Sequence, residues 1–248
     1  MMSLLELRNV SKRYGDFAAI DGLDLTINKG ELRCLLGPNG AGKTTCMDLI
    51  VGRQRVSEGT VRLMGTDIAA LSEHQIARKG VGRKFQIPSV FKELTVRQNL
   101  EVAFNRNKDP FLNMLSFKHF KGMKRYDEIT DLIGLKDRSN TVSGLLSHGE
   151  TQWLEIGLVL MQDPVLLLMD EPTAGMTEQE TYKTSQIFNT LKGSHTLVVV
   201  EHDMSFVREI ADVITVMHMG KLLAEGTITE IENNPQVRNV YLGTEGIH

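Results

Sequence analysis

The chain has 248 residues, 41% apolar and 24% charged, with a formal net charge of −3, which describes a folded protein with a sizeable core and excludes a disordered one. That balance gives no bulk electrostatic case for nucleic acid, although one local basic site could still take an anion. No stretch reaches the roughly 18–20 apolar residues that cross a bilayer, and residues 1–15 mix acidic and basic side chains unlike a signal peptide. The two cysteines, Cys34 and Cys46, lie inside apolar stretches. Their spacing fits neither a disulfide framework nor a zinc site, so they read as small buried hydrophobes of a reducing compartment.

In chain order, Leu4–Val10 and Phe17–Ile27 alternate apolar and polar residues as half-buried strands do. Glu31–Leu36 reads as a short buried strand stopped by Gly37–Pro38, and Lys43–Val51 carries helical spacing. Gly59–Met64 suggests a strand, residues 65–67 a turn, Leu71–Lys79 a helix capped by Ser72, and Gly80–Phe85 a strand ending at Gln86. The middle is different. Val96–Phe104, Lys121–Ile133 and Thr151–Met161 have helical patterns, whereas Phe111–Phe120 resists assignment. Thr95 is the expected N-cap of the first, with Asn99 standing where a full capping box would have Glu or Gln. Strands return at Val165–Met169 and Thr196–Val200, each nearly all apolar, as in a parallel sheet covered on both faces. Helices are expected at Thr177–Leu191 and Asp203–Ala211, a hairpin at Ile214–Glu225, and a terminal helix over Thr227–Tyr241 broken near Pro235.

The strongest chemical signal is Gly37–Pro38–Asn39–Gly40–Ala41–Gly42–Lys43–Thr44, followed by Thr45. It matches the phosphate-loop pattern GxxxxGK[ST] between an apolar strand and a helix. Glycines let the backbone curl and point several N–H groups at one anion, and the helix N-terminus favours the same negative charge. Lys43 is expected on the β and γ phosphates and Thr44 on magnesium. Downstream, the strand Val165–Met169 runs into Asp170 and Glu171. Asp170 suits magnesium coordination, and Glu171 suits a general base for the attacking water. The long separation from Lys43 excludes a compact small GTPase, and Asp131–Gly134 matches DxxG only by chance. The pattern points to an ATPase that couples hydrolysis to movement.

With Tyr14, Gln86, the segment Leu146–Ser147–His148–Gly149–Glu150, the turn Ala174–Gly175–Met176–Thr177 and His202 in fixed order around these motifs, the chain resembles the ATP-binding subunit of an ABC transporter. Arg83–Lys84–Phe85–Gln86, the signature through Gly157 and the short C-terminus resemble the urea-type branch, close to the branched-chain amino acid importers. The resemblance implies that Tyr14 stacks on adenine, that Gln86 reaches magnesium and the attacking water, and that His202 holds the γ-phosphate and orients Glu171. It also implies that Ser147 and Gly149 address ATP on another subunit. Two departures stand out: His148 and Glu150 replace the commoner glycine and glutamine, and Thr177 replaces an aspartate. By spacing alone, Ser147 with Glu150 and Thr177 with Glu180 are also capping boxes.

The implied fold is α/β: a phosphate-loop, RecA-like ATPase core with an N-terminal antiparallel region and a helical lobe over roughly 87–160, the whole chain forming one nucleotide-binding domain. The implied activity is magnesium-dependent ATP hydrolysis driving solute import, with urea as solute. A branched-chain amino acid or short-chain amide importer, or a soluble ABC-type ATPase outside transport, is the alternative. Implied partners are a second ATPase subunit (a different chain, or a second copy), two membrane permease subunits, and indirectly an external solute-binding protein. The location is the cytoplasmic face of the inner membrane. Ile87, Pro88, Val90 and Phe91 around Gln86 suggest either an apolar groove for the permease or a piece of local core.

Overall fold

A computed structural model describes residues 2–84, 90–105 and 120–245. Two sheets organise it. The first is antiparallel, in the order β2-β1-β4-β5, from β1 (Ser3–Tyr14), β2 (Phe17–Asn28), β4 (Glu58–Leu63) and the two-residue β5 (Thr66–Asp67). The second has the order β10-β9-β3-β8-β7-β6, from β3 (Leu32–Leu36), β6 (Val81–Lys84), β7 (Leu166–Asp170), β8 (Thr196–Val200), β9 (Val213–His218) and β10 (Lys221–Gly226). Its strands β9, β3, β8, β7 and β6 are parallel, and only β10 turns back as the hairpin partner of β9. The α/β architecture with an antiparallel N-terminal region is therefore as the sequence predicts.

The all-apolar strands are buried on both faces because the two sides of the sheet face different cores. Cys34, Leu167, Met169, Leu197 and Val199 join a helical core, whereas Leu35, Leu166, Leu168, Val198 and Val200 face α1 (Lys43–Ile50) and the antiparallel sheet. Side chains alternate in direction along a strand, so one apolar run serves both layers. Arg33, the second residue of β3, is buried with partners: Glu31, at 2.6 Å, and Glu225 pair with it, and it donates to the Thr215 hydroxyl at 3.0 Å. Cys34 and Cys46 are both buried and free.

Between β6 and β7 the described elements are helical: α3 (Val96–Asn105), α4 (Phe120–Leu132) and α5 (His148–Leu160), with two short 3-10 turns at Lys136–Arg138 and Ser143–Leu145. Residues 106–119, including most of the unassigned Phe111–Phe120 segment, lie outside the described residues. Helix α2 (Glu73–Arg78) has Ser72 as its N-cap, as expected. The box at Thr95 is complete, contrary to the sequence reading: Gln98, not Asn99, holds the third position, its side chain accepting from Thr95 N at 2.9 Å. Asn99 instead reaches inward to the Phe91 carbonyl at 3.0 Å and the Ser143 hydroxyl at 3.0 Å. Helix α5 begins at His148, earlier than periodicity alone predicted, because Ser147 and Glu150 form a reciprocal box. Trp153 of α5 packs on α6 (Glu178–Leu191), donating to Thr184 at 3.0 Å under the Lys183 ammonium, 3.6 Å from the ring.

Beyond β8, α7 (Met204–Ile210) is capped by Asp203, and the C-terminus forms α8 (Ile228–Asn233) and α9 (Pro235–Glu245), with Pro235 opening the second helix. Among the described residues no helix is long and apolar enough to cross a membrane.

The N-terminus of α6 carries a stability prediction. Glu180 is held below its usual carboxyl value of 4.5, first by the Thr177 N–H and then by the Thr177 hydroxyl, while burial opposes them. A carboxyl depressed by folding contributes stability above 4.5, and loses it as pH falls through the lower folded value. Thr177→Ala should lower the unfolding free energy by about 1 kcal/mol in urea titration at neutral pH. The deficit of Glu180→Gln relative to wild type should shrink as the titrations are repeated below pH 4.5.

Candidate functional site

The parallel strands bring their carboxyl ends to one edge, where an open α/β sheet forms its ligand crevice. The loop after β3 is the glycine-rich segment. Gly37 has φ 146°, and a Cβ there would lie 2.2 Å from the Met217 carbonyl oxygen of β9. Gly42 has φ 103° and is the N-cap of α1 with no side chain bonded to the helix end. A Cβ at Gly42 would meet the Ala19 carbonyl oxygen at 2.7 Å. Glycine is required at both positions by conformation and by space.

Lys43 is buried and folds back over this loop, its Nζ donating to the carbonyls of Gly37 at 2.7 Å and Pro38 at 3.1 Å. Burial lowers its pKa, against the opposing pull of Glu171 and Asp170. Asp170 ends β7 and is buried, and this burial raises its pKa although the Arg83 guanidinium opposes it. Glu171 follows in the left-handed region at φ 47°, its N–H donating to the Val200 carbonyl of β8 at 2.9 Å. Its Oε1 lies 2.9 Å from His202 Nε2, two residues past the end of β8. Glu201 fixes the loops beneath: one carboxylate oxygen takes the Thr173 N–H at 3.0 Å and hydroxyl at 2.7 Å, and the other takes the His202 N–H at 3.1 Å.

A cavity of about 250 Å³ gathers Asn39, Gly40, Ala41, Gly42, Lys43, Thr44, Thr45, Asp170, Glu171 and His202, with Phe17 and Ala19 at its side. Gly37 and Pro38 stand behind it and hold Lys43 through their carbonyls. Tyr14 is outside that lining; its half-exposed ring lies beside Lys12 and its hydroxyl donates to Gln54. Phe17, 65% exposed, is the aromatic residue that borders the cavity, and the sequence reading did not single it out. Gln86 and the neighbouring Ile87 and Pro88 lie outside the described residues, so the predicted groove is represented only by half-buried Val90 and exposed Phe91. A larger cavity, about 480 Å³, runs beside the edge strand β6 between α2 and the end of α5, away from the phosphate loop.

Ser147 and Gly149 are not brought to this cavity. They open α5, where Ser147 Oγ donates to Glu180 Oε1 at 3.4 Å and His148 Nε2 lies 2.9 Å from the Ala174 carbonyl. A Cβ on Gly149 would lie 2.2 Å from Glu180 Oε1, so that carboxylate sits directly on the first turn of the helix.

The donor set suits magnesium held mainly by substrate. Asp170 and the exposed Thr44 supply hard oxygens at the cavity, and among the described residues no group of three or more His, Cys, Asp or Glu could hold a metal alone. Magnesium typically takes one or two protein oxygens and completes its shell with phosphates and water.

Comparison with known proteins agrees with this geometry. The family model described as ABC transporter matches residues 20–174, and one described as branched-chain amino acid ATP-binding cassette transporter matches residues 221–247. The chain is similar to the high-affinity branched-chain amino acid transport ATP-binding protein BraF of Pseudomonas aeruginosa, 35% identical over 97% of this chain and 98% of that protein. It is likewise similar to the probable branched-chain amino acid transport ATP-binding protein LivG of Archaeoglobus fulgidus, at 33% over 98% and 97%. A solved ATP-binding cassette of an ABC transporter in its ADP conformation superposes with a TM-score of 0.86 at 30% identity, covering 98% of this chain and 100% of that one. A nucleotide-free cassette gives 0.82 at 30%, covering 97% and 99%.

These matches correct the urea-type expectation. That reading rested on a few residues around Gln86 and the signature, whereas the full-length relatives and the C-terminal model are those of branched-chain amino acid proteins. The chain belongs to the ABC transporter family, as an ATP-hydrolysing subunit of the branch that holds the branched-chain amino acid ATP-binding proteins.

Proposed function

We propose that the chain powers import of branched-chain amino acids, with Glu171 as general base at the phosphate loop. The observation that carries the catalytic reading is the 2.9 Å contact between Glu171 Oε1 and His202 Nε2 at the mouth of the cavity that Lys43 and Asp170 line. Lys43 exchanges its loop carbonyls for the β and γ phosphates, while the N–H groups of residues 39–45 cradle the same anion. Tyr14 gives the adenine a stacking face. Asp170 and Thr44, with Gln86 as the sequence suggests, hold magnesium, which when bound neutralises charge on the phosphates. Glu171 accepts the proton of the attacking water, and His202 keeps that carboxylate aimed while meeting the γ-phosphate.

Ser147 and Gly149 lie apart from the cavity, which supports a head-to-tail pairing in which they serve ATP on a second ATPase subunit, a different chain in this reading. In the same reading residues 1–248 are one nucleotide-binding domain, with the helical lobe over roughly 87–160 and permease subunits docked beside it at the cytoplasmic face of the inner membrane. An external solute-binding protein acts through those permeases. The solute follows from the branch: the relatives are named for branched-chain amino acid transport.

The assembled transporter in liposomes tests the solute. Its ATPase should rise when the binding protein is loaded with leucine, isoleucine or valine, and no response to any of the three overturns the assignment. For the chemistry, Glu171→Gln should lose about 10²–10⁴-fold in turnover while binding ATP as well as wild type. His202→Ala should lower kcat with little change in KM. Near-normal phosphate release by the Gln variant would dismiss Glu171 as the base.

A further inference from the structure

Arg83 is the third residue of β6, the edge strand, and its side chain is only 5% exposed. Its guanidinium is shared between two buried carboxylates on different elements. Nη1 pairs with Asp48 of α1, and Nη2 lies 3.6 Å from Asp170 Oδ2 at the end of β7. Asp48 is itself held, since its second oxygen accepts from the Gln54 amide at 3.3 Å, and the Gln54 carbonyl takes the Tyr14 hydroxyl. A continuous polar chain thus runs from Tyr14 through Gln54, Asp48 and Arg83 to Asp170.

Backbone pairing alone does not aim Asp170. Arg83 stands opposite Leu168 in the β6–β7 register, two residues short of Asp170, so its side chain reaches forward along the strand to the carboxylate. A planar fork can grip two carboxylates from fixed directions, whereas an ammonium offers one point charge. Asp48 lies five residues beyond Lys43 on α1, so the fork also joins the helix that follows the phosphate loop to the strand that carries Asp170. Partners standing behind a metal ligand commonly change metal affinity or activity by 10–100-fold.

The geometry assigns Arg83 as the positioning residue for Asp170, fixing that carboxylate against α1 so that it meets magnesium on the bound nucleotide. The inference rests on the proposed role of Asp170 as the magnesium ligand, and the test separates the two.

Calorimetric affinity for ADP is measured with magnesium and with EDTA, for wild type, Arg83→Lys, Arg83→Gln and Asp170→Asn. The ratio of the two affinities reports metal engagement without turnover. Both Arg83 variants should cut that ratio about 10-fold, at the low end of the range for such partners, while affinity in EDTA stays within about twofold of wild type. A wild-type ratio in folded Arg83→Lys overturns the assignment, since the charge without the fork would suffice. Equal losses with and without metal also overturn it, because a role in folding alone would act on both. Arg83→Lys keeps a cation for Asp48; should it still fail to fold, Asp48→Asn frees one arm of the fork and must lower the same ratio, and an unchanged ratio overturns the inference. A wild-type ratio in Asp170→Asn rejects Asp170 as the ligand and removes the premise. Loss in Asp170→Asn with none in the Arg83 variants rejects Arg83 alone.

Discussion

Everything at the nucleotide edge depends on the register of three parallel strands. Leu35 of β3 pairs with Val200 of β8, and Val200 pairs with Asp170 of β7, so the three residues form one row across the sheet. Gly37 and His202 each follow two residues after that row, and Glu171 follows one after. A slip of one residue in β7 would exchange its two faces, turning Asp170 away from the phosphate loop and carrying Leu167 and Met169 into the wrong core. The apolar cores therefore specify the polar site: burying Leu166 and Leu168 against α1 while Leu167 and Met169 face the helices leaves one position for Asp170.

On that frame the loops carry costs that the sheet sustains. Glu171 adopts φ 47°, a conformation that costs a non-glycine residue on the order of 1–3 kcal/mol. It is held by its N–H on Val200 and by the Ala174 N–H, which donates to the Glu171 carbonyl at 3.2 Å. Lys43 presents the converse arrangement. Burial disfavours its charge, and two loop carbonyls and the field of Glu171 and Asp170 offset that cost. A phosphate entering the cavity supplies the strong anionic partner that these dipoles replace imperfectly.

Legibility in the sequence followed the distance between the residues that cooperate. The phosphate loop is a contiguous segment whose glycines do the same work in any neighbourhood, and the boxes at Ser147–Glu150 and Thr177–Glu180 span three positions each. Those appeared directly in the sequence and formed in the structure. The box at Thr95 was equally local and was misread because Asn99, one place too far along, was counted in the position of Gln98. Arg83 escaped notice as a contact residue because Asp48 and Asp170 reach it from two other elements, and no spacing encodes such a meeting. Phe17 escaped for a similar reason: it lines the cavity only because the β1–β2 hairpin lies against the loop after β3. The urea-type expectation rested on short segments around Gln86 and the signature, whereas the agreement with the branched-chain amino acid proteins extends over the whole chain.

The two ends of the proposed machinery are mechanically close within one chain. Glu171 opens the segment that runs through Ala174 to Thr177, and Thr177 caps α6. His148, at the start of α5, rests on the Ala174 carbonyl, and the Glu180 carboxylate rests on Ser147 and Gly149. The donors proposed to meet a neighbour's nucleotide are therefore bound to the short segment that begins with Glu171, the proposed general base. The Glu180 carboxylate occupies the first turn of α5, where a carboxylate suits the N–H groups of a helix N-terminus. The seven residues 171–177 thus tie the loop after β7 to the start of α5 through packed contacts.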